Sequence, residues 1–116
     1  MQPLQKRSEL LRTSIDDACA QLQIEVRQQD LNELDKQLAD PDVWHNPSRA
    51  EQLSKQAAAL RSTIEPWITL AAQARDIAEL MELGDDSMTK EFDEQLTAFE
   101  VEYARLKKDL LFKGPF

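Results

Sequence analysis

The sequence predicts an all-α protein: an elongated antiparallel three-helix bundle with coiled-coil-like packing, forming a single domain over residues 1–116. Apolar side chains recur every three or four positions along most of the chain, which is the period of one helix face. Only two of the 116 residues are glycine, and the composition is dominated by good helix formers. Two prolines, Pro41 and Pro47, interrupt the pattern, because proline is strongly disfavoured in a helix interior.

The first helix is predicted over about residues 4–39. Its apolar stripe advances in steps of three and four, except for a five-residue step between Val26 and Leu31. We expect the helix to bend, or to rotate its buried face, at that step. The stripe consists of Leu11, Ile15, Ala18, Leu22, Val26, Leu31, Leu34 and Leu38.

The second helix, predicted over about residues 47–83, has the most regular pattern in the chain. Asn46 is a suitable N-cap with Pro47 at the first helical position, and Ser48 offers a competing capping box. Gly84 is expected to end the helix. Pro66 lies inside it, but the stripe stays in register on both sides, so we predict one kinked helix. The stripe consists of Ala50, Leu53, Ala57, Leu60, Ile64, Trp67, Ala71, Ala74, Ala78 and Met81.

The third helix is predicted over about residues 88–112. Asp85, Asp86 and Ser87 form a short turn before it, and Gly114-Pro115 stops it. Because so short a turn reverses the chain, the second and third helices should be antiparallel. The apolar stripe consists of Phe92, Leu96, Phe99, Tyr103, Leu106 and Leu110.

The corner between the first two helices holds the candidate interaction or structural residues Pro41, Trp44, His45 and Pro47. Trp44 has no position on either apolar stripe, and two interpretations stay open. It is either a plug that closes the end of the bundle or an exposed anchor for a protein partner. His45 is the only histidine, so it has no second histidine for a zinc site or a catalytic triad, and we expect a solvated side chain.

Composition argues against several classes of protein. The net charge of −8 disfavours a surface that grips nucleic acid. The single cysteine, Cys19, has no disulfide partner in the chain and is expected to pack between helices. No apolar stretch approaches the roughly 20 residues that span a bilayer, and no signal peptide is evident, so we expect a cytoplasmic protein. The sequence offers no phosphate-binding loop and no constellation of catalytic or metal-binding residues, so we expect no enzyme activity, cofactor or metal.

A family resemblance begins at the corner. The stretch from Leu31 to Pro47, a leucine-spaced helix running into Pro41-Asp42-Val43-Trp44, resembles the N-terminal domain of bacterial peptide chain release factor 2. The similarity continues to about residue 116. The segment Leu110–Phe116 is similar to the junction at which the chains of that family pass into their catalytic core.

This resemblance implies a role in translation termination at stop codons of the UGA and UAA type. It implies contacts with the stalk base of the large ribosomal subunit and with the class-II release factor, a GTPase. The corner around Trp44 and the opposite end are both candidate surfaces for the stalk-base contact. The family's Gly-Gly-Gln loop, which promotes peptidyl-tRNA hydrolysis, is absent, since the only glycines are Gly84 and Gly114. We therefore expect an excised N-terminal domain that is monomeric, is not catalytic, does not contact membranes and does not bind nucleic acid directly in a sequence-specific way.

The alternative is a free-standing coiled-coil adaptor, or a chaperone-like helical protein, that dimerises through its apolar stripes. The alanine-rich stripe of the second helix permits close packing of this kind. Sedimentation distinguishes the two hypotheses, because an excised domain should stay monomeric at all concentrations whereas the adaptor should form a tight dimer.

Overall fold

The first helical segment consists of two helices rather than one. In the computed structural model, which describes residues 2–84 and 86–113, helix α1 spans Gln2–Gln21 and helix α2 spans Ile24–Leu38. Gln23 lies between them with φ 54° and ψ 47°, in the left-handed region that commonly ends a helix. The prediction of one helix over residues 4–39 is therefore wrong, and the break lies at Leu22–Gln23, ahead of the predicted bend.

The break changes which side chains are buried. Ile24 is only 7% exposed, whereas Val26, which was predicted to lie on the buried stripe, is 51% exposed. Because the left-handed residue reorients α2 relative to α1, the buried face restarts at Ile24 and continues at Leu31. Arg27 stabilises the break, since its Nε donates a hydrogen bond of 2.8 Å to the carbonyl oxygen of Leu22.

Helix α3 spans Pro47–Leu83, as predicted. The side chain of Asn46 accepts a hydrogen bond of 3.2 Å from the backbone N–H of Arg49, so the cap is Asn46 and not Ser48. The helix continues through Pro66, which confirms the prediction of one helix; the kink stays a prediction.

Gly84 ends α3, but not through the left-handed conformation expected of a glycine after a helix. Its φ of −81° and ψ of 164° are extended, and its N–H donates to the carbonyl oxygen of Leu80 at 2.7 Å. A Cβ on Gly84 would lie 3.0 Å from Cε2 of Phe92. Glycine therefore allows the close approach of Phe92, whereas any larger residue would require the ring to shift.

After one 3₁₀ turn, Asp86–Met88, helix α4 spans Thr89–Lys113, close to the predicted bounds. Asp85 of the predicted turn and the predicted stop at Gly114-Pro115 lie outside the described residues. Helix α4 runs antiparallel to α3. Phe92 lies beside Gly84 at one end, and the ring of Tyr103 packs edge-on against Trp67 further along, with centroids 6.0 Å apart.

Helix α3 is the central helix of the structure. Helices α1 and α4 pack against it and against each other, while α2 packs against α3; within the described residues α2 and α4 do not pack together. Asp35 of α2 pairs with Arg61 in the first half of α3, so α2, the corner and that half of α3 form a two-helix arm. The molecule measures 59 × 30 × 19 Å. The all-α prediction is confirmed, the count of three helices is wrong, and coiled-coil-like packing stays a prediction.

The core is wider than the predicted stripes. Leu70 and Ile77 are at most 2% exposed, although neither lies on the predicted stripe of α3. Because this part of α3 packs against two helices, its apolar face must be wider than a coiled-coil seam. The largest fully buried side chains are Ile15, Ile64, Trp67, Leu70, Ile77, Met81, Phe92 and Leu96.

A charged contact joins α1 to α4. The guanidinium of Arg7 donates to Asp93 at 2.5 Å, to Glu100 at 2.7 Å and to Thr97 at 3.2 Å. Glu100 and Asp93 hold the pKa of Arg7 above its already high ordinary value, chiefly through the hydrogen bond that Arg7 donates to Glu100. The contact fixes the side-by-side arrangement of the two helices that flank the C-terminal half of α3.

Candidate protein-interaction corner

The corner, residues Asp40–Pro47, is built by consecutive caps. Helix α2 ends at Leu38 and is capped by Ala39, whose N–H donates to the carbonyl oxygens of Asp35 and Lys36 at 3.0 and 3.2 Å. The carboxylate of Asp40 then accepts a hydrogen bond of 3.0 Å from the N–H of Asp42. Pro41 opens the 3₁₀ turn Pro41–His45, where its missing N–H and constrained φ cost nothing.

Trp44 is the exposed aromatic residue of this corner. Its side chain is 56% exposed, yet its indole Nε1–H donates a hydrogen bond of 2.7 Å to the carbonyl oxygen of Leu38. The acceptor belongs to the last turn of α2, where carbonyl groups have no partner within the helix. The indole is therefore held in one orientation while more than half of its surface stays in solvent.

The structure brings the four candidate residues together: Pro41, Trp44 and His45 lie in the 3₁₀ turn, and Pro47 begins α3 two residues later. Pro41, His45 and Pro47 are exposed like Trp44, whereas Val43 is half-buried. The N–H of Asn46 donates to the carbonyl oxygen of Val43 at 3.1 Å, which closes the turn directly before α3 begins. The corner thus presents two proline rings, an imidazole and an indole on a short, hydrogen-bonded segment.

An ion pair holds together the two helices that carry the corner. One Nη of Arg61 on α3 lies 3.0 and 2.9 Å from the two carboxylate oxygens of Asp35 on α2. Both side chains are more than 40% exposed, so the pair contributes modestly to stability, on the order of 1 kcal/mol or less. The ion pair nevertheless opposes separation of α2 from the first half of α3.

Sequence reasoning did not identify the backbone carbonyl of Leu38 as part of the corner. A signal for it was present, because the last carbonyl groups of a helix need donors and Trp44 follows only six residues later. The hydrogen bond could have been anticipated from these two facts. The orientation of the ring could not, since it depends on the path of the 3₁₀ turn.

The other chemically reactive candidate does not form a site. Cys19 is half-buried, and burial, together with the nearby charge of Asp16, raises the pKa of its thiol. A thiol with a raised pKa is a poor nucleophile near neutral pH.

Within residues 2–84 and 86–113, no group of three or more His, Cys, Asp or Glu side chains is placed to hold a metal ion. None of the described helices is both long enough and apolar enough to cross a membrane.

The fold and the corner define an all-helical module that presents an exposed, hydrogen-bonded tryptophan. A family model described as the PCRF domain matches residues 27–114, and the chain belongs to this family. The match includes α2 from Arg27 onward and the whole of the corner and α3, which are the elements that build the candidate surface.

Curated relatives match nearly the whole chain. It is 34% identical to a peptide chain release factor 2 from Aeromonas hydrophila, over 100% of this chain and 30% of the relative. It is 30% identical to a peptide chain release factor 2 from Thermomicrobium roseum, over 99% of this chain and 31% of the relative. A protein of the same name from Chloroflexus aggregans is 26% identical over 97% of this chain. The chain thus spans about a third of the length of these relatives.

Proposed function

We propose that this chain is the N-terminal helical domain of a peptide chain release factor that acts in translation termination at UGA- and UAA-type stop codons. The observation that carries the proposal is the PCRF family match over residues 27–114, together with relatives named peptide chain release factor 2. The chain has no Gly-Gly-Gln sequence, so its contribution is binding rather than peptidyl-tRNA hydrolysis. It acts in the cytoplasm, where ribosomes translate.

The proposed partners are the stalk base of the large ribosomal subunit and the class-II release factor GTPase. The corner, with Pro41, Trp44, His45 and Pro47, is the contact surface for the stalk base. An exposed tryptophan held by a hydrogen bond loses little conformational freedom when it binds, which is favourable for an interaction hot spot.

The charge of the chain supports protein as the partner. With a net charge of −8, the domain is repelled by ribosomal RNA and attracted by basic ribosomal protein. Asp40 and Asp42 belong to the corner and add negative charge to the turn that carries Trp44. Direct sequence-specific binding of nucleic acid is therefore not part of the proposed function.

A binding measurement with the isolated chain tests the proposal. The chain is labelled at its N-terminus, and fluorescence anisotropy is followed on titration with large ribosomal subunits, with and without their stalk-base protein. We expect association only when that protein is present, and about a tenfold loss of affinity for Trp44→Ala. Leu10→Ala is the matched control, because Leu10 is a 63% exposed apolar residue on α1, outside the corner.

Three outcomes contradict this proposal. The first is the absence of association at high micromolar concentrations of subunits. The second is an equal loss of affinity for Trp44→Ala and Leu10→Ala, which would mean that the corner is not the contact surface. The third is a concentration-dependent dimer in sedimentation, because we propose that the domain is a monomer.

A further inference from the structure

Two leucines at the C-terminal end of α3 are exposed. Leu83 is 86% exposed, the largest value among the large apolar side chains that the structure describes, and Leu80 is 50% exposed. Residues three apart in a helix lie on neighbouring parts of the same face. Together the two side chains form an apolar strip on the last turn of α3, at the opposite end of that helix from the corner.

The internal packing does not account for these leucines. Ile77 and Met81, on the same turns of α3, are each 2% exposed and face the core. Leu80 contributes to the end of the helix through its backbone, because its carbonyl oxygen accepts a hydrogen bond from the N–H of Gly84. Alanine would support the same backbone contact with a higher helix propensity. The apolar side chains are therefore free to serve a contact with another molecule.

The charge around the strip indicates what that molecule is. By sequence, residues 76–94 hold eight carboxylates and one lysine, a net charge of −7 in a chain whose total is −8. Asp76 lies four residues before Leu80, and Glu79 lies four residues before Leu83, so each leucine has a carboxylate on its own face of α3. An apolar strip flanked by carboxylates complements an apolar strip flanked by cations.

The cations of α1 do not neutralise this face. Arg7 is bound to Asp93 and Glu100 on α4. Lys6 and Arg12 line a groove between α1 and α3 that Glu82 also borders. On α3, Glu82 lies on the side that faces α1, whereas Asp76, Leu80 and Leu83 lie on the side away from it.

We propose that the outward face of the last two turns of α3, formed by Asp76, Glu79, Leu80 and Leu83, binds a basic amphipathic helix of a partner protein. The apolar side of that helix covers the leucines, and its lysine or arginine side chains pair with the two carboxylates. A second copy of this chain is disfavoured as the occupant, because it would bring a second end of charge −7 into contact with the first. This surface lies about 50 Å from the corner along α3, so it is a separate contact.

A peptide titration tests this inference without ribosomes, so its outcome does not depend on the proposed function. The probe is a synthetic helix of leucine and lysine with all leucines on one face, and its binding is followed by fluorescence polarisation. One control peptide replaces lysine by glutamate, and a second replaces leucine by alanine. We expect the leucine–lysine probe to bind, the glutamate control not to bind, and the alanine control to bind at least about tenfold more weakly.

Protein variants locate the contact. The double variant Leu80→Ala/Leu83→Ala should lose about tenfold or more in affinity for the leucine–lysine probe. The matched control, Leu10→Ala/Val101→Ala, removes two side chains that are 63% and 64% exposed on α1 and α4, and it should change affinity by less than about twofold. Added salt should weaken binding, because the carboxylates contribute.

Equal affinity of the two double variants would overturn the proposal, because binding would then not involve this strip. Equal binding of the alanine control peptide would also overturn it, since attraction would then depend on charge alone. A dimer of the chain that Leu80→Ala/Leu83→Ala abolishes would show that a second copy covers the leucines instead. Circular dichroism of each variant confirms that the helices remain folded, so a loss of binding reports on the surface.

Discussion

The indole of Trp44 is bonded to the backbone of Leu38, with 2.7 Å between Nε1 and the carbonyl oxygen. This contact joins the last turn of α2 to the 3₁₀ turn that follows it, and it leaves the tryptophan 56% exposed. Trp44→Phe keeps an aromatic ring and removes the donor. We expect the free energy of unfolding to fall by about 0.5–1.5 kcal/mol, measured by urea denaturation.

The control for this variant is His45→Ala. His45 is exposed in the same turn, and its side chain has no hydrogen-bond partner in the described part of the chain. Its removal should change the free energy of unfolding by no more than about 0.5 kcal/mol. If Trp44→Phe lowered the free energy of unfolding by no more than His45→Ala does, the hydrogen bond would contribute nothing to stability.

The break between α1 and α2 gives a prediction about Gln23. This residue has φ 54° and ψ 47°, a conformation that costs a side chain with a Cβ roughly 1–2 kcal/mol and costs glycine little. We expect Gln23→Gly to raise the free energy of unfolding by about 0.5–1 kcal/mol, after the entropy that glycine adds to the unfolded chain. Thermal denaturation followed by circular dichroism measures the change.

The matched control is Gln29→Gly, at an exposed position inside α2. Glycine there should lower the free energy of unfolding by about 1 kcal/mol, because the backbone is right-handed helical. The two substitutions are chemically identical, so only the backbone conformation separates them. A destabilising effect at both positions would contradict the left-handed break at Gln23.

Even the smallest side chain at position 84 should destabilise the fold. Its φ of −81° is available to alanine, but a Cβ would lie 3.0 Å from both Phe92 Cε2 and the carbonyl oxygen of Leu80. We expect Gly84→Ala to lower the free energy of unfolding by about 1–3 kcal/mol through overpacking. Chemical denaturation in the wild-type background measures this value.

A double-mutant cycle with Phe92→Leu identifies the cause. If the ring of Phe92 is the obstacle, Gly84→Ala should cost less in the Phe92→Leu background than in the wild type. The carbonyl contact with Leu80 remains in both backgrounds, so the cost should shrink without disappearing. An unchanged cost in the variant background would show that Phe92 is not responsible.

Helix α4 carries an ion pair that gives a pH-dependent prediction. Arg105 donates to both carboxylate oxygens of Glu102, and this hydrogen bonding lowers the pKa of Glu102. A carboxylate whose pKa is lower in the folded state stabilises the fold above its unfolded pKa. That contribution is lost as pH falls through its folded pKa. Both side chains are more than a third exposed, so the contribution should be small and sensitive to salt.

Nuclear magnetic resonance titration of the Glu102 carboxyl tests this assignment. In Arg105→Gln the pKa of Glu102 should rise towards its ordinary value, because the donor is gone. Lys107→Gln removes the same charge from the same helix without removing a partner of Glu102, and the pKa should stay low. Similar shifts in both variants would indicate a general charge effect in place of a specific hydrogen bond.

Local signals in the sequence were sufficient to predict the bounds of two of the helices, α3 and α4. Asn46 and Pro47 define the start of α3, and Gly84 marks its end, so the predicted bounds agree with the structure. The bounds of α4 agree to within one residue at each end. The family was also recognisable from the sequence, because Leu31–Pro47 contains a specific pattern and lies within the matched region.

The break at Gln23 could not be predicted in the same way. Neither Leu22 nor Gln23 is a residue that commonly ends a helix, and Ala18, Leu22 and Val26 continue a regular apolar spacing across the break. Ile24 and Val26 are both apolar, and the spacing of the sequence favours burial of Val26. Tertiary packing buries Ile24 instead and leaves Val26 exposed, because α2 turns at the break. Sequence spacing reports the period of a helix and does not report a change of axis.

The sequence by itself determined that the chain is helical, where α3 begins and ends, and that a tryptophan lies at a proline-bounded corner. These features follow from local rules: the spacing of apolar residues, caps, and the missing N–H of proline. Only the tertiary structure decided how the ring of Trp44 is oriented against Leu38, that Gly84 lies close to Phe92, and that Leu80 and Leu83 remain in solvent. Each of these depends on the placement of one helix end relative to other parts of the chain, and no local pattern specifies that placement.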